Sequence, residues 1–488
     1  MNYEIVFIIV VFFLLFVIGQ QKSNRKYIAN LEKQKKRAMS PPVDKSLLHS
    51  KPEKGQLMLG KTKAGKYVTN SVLDDGHRLI LGGSGSGKSA NYIIDDLLMN
   101  DSDDCSLIAV DIKGELSYKS KRLDDPHIKI FDPQDSASYG FNPFWKLADD
   151  SSEQEIYETM QVVSESLIKI DQNGEAYWSL SARSMLTSLL IYHYQNGIHN
   201  LPDIVSAIMS MPIKQEIEEI INTLDEGTLA RKLMVPYYDL AEDTLTSIFS
   251  SINLAVNTFF DKNLVYALRD APRKITPKDI ENGFSIFLRV KEEKLTAYSL
   301  VLSLIINMFL IELSARPEGS KKVLFIIDEL PRLITAGSIG MLPIASLTIR
   351  SKGVSLVLVT QSLSALEGGF KKSEISTLIA NCSTKIILQC SSQETAKEIV
   401  GMIPKYTQVR SSKTTGKNKS GTTSFEEKAR VEESDLMNLV RDGKAIILHN
   451  TGYYCLNKVP YYKDKYLKPK ADAIKKYNDE YLKNRGEY

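Results

Sequence analysis

The chain has 488 residues, 43% hydrophobic and 25% charged, which excludes a disordered polyelectrolyte and allows two or three domains of about 150 residues each. A net charge of +3, from 62 basic and 59 acidic residues, is too small to imply a nucleic-acid partner by itself, so any polyanion must be argued from local patches. Four cysteines (Cys105, Cys382, Cys390, Cys455) form no C-x-x-C pair and no His-flanked zinc spacing, which reads as buried reduced thiols.

From the N-terminus, Ile5 to Ile18 (IVFIIVVFFLLFVI) is unbroken hydrocarbon, at the short limit of the roughly 17–25 residues a spanning helix needs. No basic residue precedes the run and no small-x-small cleavage site follows it, which disfavours a secretory signal. Lys22, Arg25, Lys26, Lys33, Lys35, Lys36 and Arg37, opposed only by Glu32, then place the rest of the chain in the cytoplasm. The expectation is a single-pass cell-membrane anchor over 1–20 and a basic juxtamembrane segment and linker over 21–55. Its charged helix ends at Pro41-Pro42.

Short apolar runs then recur at Arg78–Leu81, Leu107–Asp111, Ile128–Phe131, Ser285–Val290, Val323–Asp328, Ser355–Thr360, Lys385–Gln389 and Ala445–His449. Each reads as a buried strand of a parallel sheet, and the helical patterns between most of them predict an α/β layout. No convincing strand falls between Asp149 and about Asp270. Amphipathic stretches at Glu155–Ile170, Trp178–Tyr194 and Glu242–Phe260 predict instead an all-α domain over 149–270, inserted into a nucleotide-binding domain formed by 56–148 and 271–488. Tyr298–Leu313 is apolar enough to suggest a second span, but Ser299, Ser303 and Asn307 lie on one helical face, as in a buried core helix. Arg410–Ser424 (RSSKTTGKNKSGTTS) reads as a structureless mobile loop.

Gly82-Gly83-Ser84-Gly85-Ser86-Gly87-Lys88-Ser89 satisfies G-x-x-x-x-G-K-[ST], with an apolar strand leading in and a helical run leading out. The glycines let the backbone curl and present its N–H groups to a polyphosphate, and the following helix N-terminus adds positive potential. Lys88 is the candidate for the β- and γ-phosphates of ATP, and Ser89 for a Mg²⁺ ligand. Val323–Ile327 carries Asp328 and Glu329 at its C-terminal end, where open α/β sheets bind ligands. Asp328 fits the second Mg²⁺-holding group and Glu329 a general base for an attacking water. Gln361 ends a similar strand and suits either a γ-phosphate sensor or a polar cap. Arg350 precedes that strand, where a solvated arginine and one reaching a neighbouring subunit's phosphate are both compatible. Asp111-Ile112-Lys113-Gly114-Glu115-Leu116 is equally compatible with a site near nucleotide and with a strand-to-helix turn, and Asn142-Pro143-Phe144 reads only as a turn.

Taken in order, GGSGSGKS at 82–89, DIKGEL at 111–116, FNPF at 141–144, YWSLSARSMLTSLL, LFIIDELPRL at 324–333, VTQSLSAL at 359–366 and ARVEESDL resemble the type IV secretion coupling proteins of conjugation, the TraG-like ATPases. The resemblance implies a RecA-like P-loop NTPase core with an inserted all-α domain, assembled as a ring, expected to be a hexamer. It implies ATP hydrolysis coupled to delivery of a relaxase-bound single DNA strand, or of protein substrates, to a type IV secretion channel. It also places Arg350 where such rings use an arginine from the adjacent subunit, and strengthens Gln361 as a site residue. Many members carry two spans with a small domain between them, whereas this sequence reads as having one.

Two rival readings stand beside it. A chromosomal translocase of the FtsK type fits poorly, because Lys463–Tyr488 is too short and charged for a winged-helix tail. A membrane-tethered receptor whose ATP binding only sets assembly has less need of Glu329. Lys371-Lys372, Lys405 and the basic residues of 410–419 read as solvated surface rather than DNA contacts.

Overall fold

The computed structural model describes residues 25–38, 40–72, 76–101, 103–170, 176–413, 421–439 and 442–485, with residues 18, 21 and 22. The predicted membrane anchor therefore lies outside the described residues, Ile18 excepted. Residues 25–38 are helical. The segment expected to be linker carries a short strand, β1 (Leu48–His49), followed by β2 (Gln56–Lys61) and β3 (Tyr67–Ser71).

The strands that follow are β4 (His77–Leu81), β5 (Ser106–Ile112), β6 (Ile128–Phe131), β7 (Gly140–Phe141), β8 (Lys274–Ile275), β9 (Ser285–Val290), β10 (Val323–Ile327) and β11 (Val354–Thr360). The series ends with β12 (Cys382–Ile387), β13 (Tyr406–Lys413), β14 (Gly421–Lys428), β15 (Lys444–His449) and β16 (Gly452–Asn457). One 12-stranded sheet runs β1-β3-β2-β16-β15-β12-β4-β11-β10-β5-β9-β6. From β12 to β6 every pairing is parallel, and from β12 to β1 every pairing is antiparallel.

All eight predicted apolar runs are strands, but β15 runs antiparallel to β12 rather than joining the parallel set. An apolar run encodes burial, not direction, and the two-residue connection from β15 to β16 makes a hairpin. The 410–424 stretch also departs from expectation. β13 and β14 pair antiparallel from Tyr406↔Lys428 to Lys413↔Gly421, and only 414–420 fall outside the described residues. Their Thr, Val, Tyr and Phe content suits a pleated ribbon despite the polar composition.

Alternation buries both faces of the central strands. Val323, Phe325 and Ile327 of β10 join one core, and Leu324 and Ile326 join the other; Leu79 and Leu81 of β4 face the first, and Ile80 the second. Between β7 and β8 every regular element among the described residues is helical. The helix Glu153–Leu167 starts at a capping box of Ser152 and Glu155, and the helix Leu201–Ile208 starts at Asn200 with Pro202 in its first turn. β7 and β8 pair in parallel as a small sheet of their own, so the two ends of the helical stretch lie side by side.

The helix Leu295–Ala315 belongs to the larger core. Asn307 Nδ2 donates to Ser166 Oγ (2.9 Å) and to the Ser338 carbonyl (2.6 Å), and Ser299 Oγ donates to the Thr296 carbonyl (2.9 Å), while Ser303 Oγ is buried without a partner among the described residues. Glu292–Ala315 is the one candidate span by length and hydropathy among the described residues, and 72% of its apolar window is buried inside the protein.

Candidate functional site

Parallel pairing brings the C-terminal ends of β4, β11 and β10 side by side, with Leu81 opposite Thr360 and Ile327 opposite Leu358. β4 runs straight into the loop 82–88. Gly85 (φ 74°) and Gly87 (φ 89°) take left-handed conformations, and a Cβ on Gly87 would collide with the Asn91 side-chain amide. Lys88 Nζ donates to the carbonyls of Gly82 (2.7 Å) and Gly83 (3.3 Å), closing over the loop. Burial lowers the Lys88 pKa, against the pull of the Glu329 and Asp328 carboxylates. Ser86 Oγ is buried with no hydrogen-bond partner among the described residues. A left-handed glycine loop, an orphaned hydroxyl and an ammonium bonded to loop carbonyls together fit a polyphosphate.

Asp328 follows β10. Its Oδ2 lies 3.5 Å from Ser89 Oγ, and its Oδ1 accepts the Glu329 N–H at 3.0 Å. Burial pushes the Asp328 pKa up to about 7, reinforced by the Glu329 carboxylate and resisted by Lys88. Glu329 has φ 53°, a left-handed conformation uncommon for a residue with a side chain, and it heads the helix Leu330–Ala336. Gln361 Nε2 donates to Glu329 Oε2 at 3.2 Å. Lys88, Ser89, Asp328, Glu329 and Gln361 thus meet at one sheet edge.

Arg350 stands apart from them. It follows the helix Met341–Thr348 and precedes β11, so it sits at the opposite, N-terminal edge of the sheet. It is exposed, and its side chain lies across Gly76, where a Cβ would come within 3.1 Å of Arg350 Cδ. The neighbouring helix leaves Ile344 (59%) and Leu347 (61%) exposed.

The Asp111 stretch is a strand-to-helix turn. Buried Asp111 accepts from the N–H groups of Leu116 and Ser117 (2.8 Å each) and from Ser117 Oγ (2.6 Å), holding the start of the helix Glu115–Ser120. Asn142 Oδ1 accepts the Phe144 N–H at 3.1 Å, and buried Phe144 meets Tyr194 edge-on at 5.5 Å, seating the helical region. The four cysteines are free thiols, with Cys455 only half-buried.

Two residues near the loop carried no expectation. Gln389 lies beside Gly83, where a Cβ would stand 3.5 Å from its Oε1, and Lys458 Nζ donates to the Ser86 carbonyl at 3.3 Å. Gln389 ends an apolar run just as Gln361 does, and that parallel was a usable signal. Lys458 has no local signal, because only the sheet order brings it to the loop.

A family model described as Type IV secretory system Conjugative DNA transfer matches residues 30–484. The chain belongs to this family. Among its relatives, protein VirD4 of Rhizobium radiobacter is 22% identical over 431 residues, covering 83% of the chain and 59% of VirD4. VirD4 of Agrobacterium fabrum is 21% identical over 364 residues, 70% and 51% respectively. The chain therefore spans between half and two thirds of the length of these curated relatives. Among solved structures, the unbound bacterial conjugative coupling protein TrwBdeltaN70 superposes with a TM-score of 0.65 at 17% identity, covering 85% of this chain and 89% of that one. TrwB with the ATP analogue ADPNP gives 0.62 at 17% (79% and 85%), and TrwB with ADP and Mg²⁺ gives 0.61 at 15% (79% and 85%). These likenesses establish a TrwB-like α/β fold with a mostly parallel sheet.

Proposed function

We propose that this coupling-protein-family chain is a membrane-anchored ATPase. It uses ATP hydrolysis to deliver conjugative DNA, as a relaxase-bound single strand, or protein substrates to a type IV secretion channel. The observation that carries the reading is the convergence of the loop 82–89 with Asp328, Glu329 and Gln361 at the ends of three adjacent parallel strands. The family match and the nucleotide-bound TrwB neighbours support ATP and Mg²⁺ as its ligands. When bound, Mg²⁺ would supply Lewis-acid neutralisation of phosphate charge.

In this reading the loop Gly82, Gly83, Ser84, Gly85, Ser86 and Gly87 cradles phosphate, with the Gly82 N–H spent on the Thr360 carbonyl (3.1 Å) to fix where the loop begins, and Lys88 exchanges its loop-carbonyl partners for phosphate oxygens. Ser89 and Asp328 hold the cation, whose charge also relieves the cost of ionising buried Asp328. Glu329 acts as general base at one carboxylate oxygen, while Gln361 orients it through the other. The helical segment 149–270 forms an all-α domain inserted between 56–148 and 271–488, and residues 1–20 form the anchor preceding the basic segment 21–55. The chain assembles as a hexameric ring with its catalytic body cytoplasmic, and Arg350 serves the neighbouring subunit's site; the exposed Ile344 and Leu347 beside it suit burial against that neighbour.

The test is ATP turnover by the full-length chain in detergent, with and without single-stranded DNA, beside Lys88→Ala and Glu329→Gln. Turnover lost in both variants supports the assignment, with nucleotide binding retained in Glu329→Gln. No turnover by the wild type under conditions that form rings would refute it.

A further inference from the structure

The phosphate loop has a soft point. Gly87 follows Ser86 with φ 89°, and glycine adopts φ of either sign at little cost, so the Ser86–Gly87 peptide plane can turn over cheaply. A planar trans peptide points its C=O and N–H in opposite directions, so whatever fixes the Ser86 carbonyl also fixes the Gly87 N–H. That carbonyl accepts from Lys458 Nζ at 3.3 Å.

Lys458 is built for the task. It directly follows β16, and its own N–H donates to the Gly443 carbonyl at 3.0 Å, so the backbone it springs from is pinned. β16 is held in turn between β15 and β2, and Gly60 passes so close that a Cβ there would stand 2.8 Å from the Asn457 carbonyl. The Lys458 side chain is half-buried and has no ion pair among the described residues, whereas Lys61, on β2, pairs with Asp464 at 2.7 Å. Burial lowers the Lys458 pKa with no carboxylate opposing it. An ammonium without a counter-ion beside a phosphate cradle also adds favourable potential for an anion.

We propose that Lys458 is a positioning residue of the nucleotide site: by holding the Ser86 carbonyl it aims the Gly87 N–H at polyphosphate, so the antiparallel edge of the sheet sets nucleotide affinity. This rests on the reading of residues 82–89 as the phosphate loop.

The experiment uses the full-length chain in detergent with ADP and ATPγS as probes, comparing wild type, Lys88→Ala, Lys458→Met and Lys458→Arg. Lys458→Met should weaken both ligands about fivefold, the loss of one charge-assisted contact at a half-exposed position. In turnover it should raise KM while leaving kcat within about twofold, the signature of uniform binding. Lys458→Arg should restore most of the affinity, and the apparent Tm without nucleotide should stay at the wild-type value in both variants. Unchanged affinity in Lys458→Met overturns the proposal, as does a loss that Lys458→Arg fails to restore or one that accompanies a fall in Tm. If the wild type and Lys88→Ala bind alike, or neither binds, the phosphate-loop reading itself fails; a Lys88-dependent site indifferent to Lys458 removes this inference alone.

Discussion

Asp328→Asn should stabilise the nucleotide-free protein while it destroys hydrolysis. The Asp328 carboxyl is buried beside the Glu329 carboxylate, and its pKa is pushed up to about 7 from an unfolded value near 3.8. The sign follows from which state ionises first. Below about pH 4 the group is protonated in both states and costs nothing. Between about pH 4 and 7 the unfolded chain ionises while the folded one does not, so wild-type stability falls as pH rises, and the loss is complete above the folded pKa. At about 1.36 kcal/mol per unit the full shift corresponds to about 4 kcal/mol, an upper bound for a carboxyl this deeply buried.

Asparagine keeps an Oδ1 to accept the Glu329 N–H and gives up the attraction of Lys88 and the carboxylate's 3.5 Å contact with Ser89. The net gain expected at pH 8 is therefore on the order of 1–3 kcal/mol, shrinking to nothing near pH 4. The assay is thermal unfolding of the full-length chain in detergent at pH 5 to 8, without nucleotide or divalent cation, in wild type and variant. A variant less stable than wild type at pH 8, or a difference that does not grow with pH, would refute the argument that burial of Asp328 strains the empty site.

Mixing Arg350→Ala with Glu329→Gln subunits should restore part of the ATP turnover that each lacks alone, because interfaces with both residues intact form only in mixed rings; no recovery in verified mixed assemblies counts against action in trans. Arg78→Met should lower stability by about 3–5 kcal/mol, since it leaves Asp96, 2.8 Å away and fully buried, an uncompensated charge; adding Asp96→Leu should recover much of the loss of apparent Tm. Phe144→Ala should cost about 3–5 kcal/mol by emptying its place against Tyr194, and limited proteolysis should then cut first within the helical segment between β7 and β8.

The site was legible where its chemistry is contiguous. The loop 82–89 and the Asp328–Glu329 pair each announce a strand, a turn and a charge within a few residues, so local pattern sufficed. Gln361 was legible as a strand-end amide, but its bond to Glu329 depends on β11 lying between β4 and β10, which no local pattern states. The antiparallel edge was least visible. β1 has two residues and β3 is polar at three of its five positions (Thr69, Asn70, Ser71), so neither shows the apolar run that marks a buried strand. Lys458 follows from that edge and shared its invisibility. The buried helix Leu295–Ala315, in contrast, declared itself through its polar stripe, of which Ser299 and Asn307 are hydrogen-bonded inside the protein.

The placement of Arg350 narrows what it can do. β11 separates it from Gln361, and seven strand residues at about 3.3 Å each put the two edges of the sheet about 20 Å apart. An arginine side chain covers only a fraction of that distance, so Arg350 cannot reach phosphate held by Lys88 in its own subunit. Its position before a parallel strand therefore leaves two functions, a solvated surface charge or a contribution to another copy's site. The proposed role in another copy's site draws on the surroundings, since Gly76 makes room for its stem and two large aliphatic side chains stand exposed on the adjoining helix turn. In a ring that sets the N-terminal edge of one sheet against the C-terminal edge of the next, those same features become an interface. Hydrolysis would then require assembly, because each site lacks one cation until a neighbour supplies it.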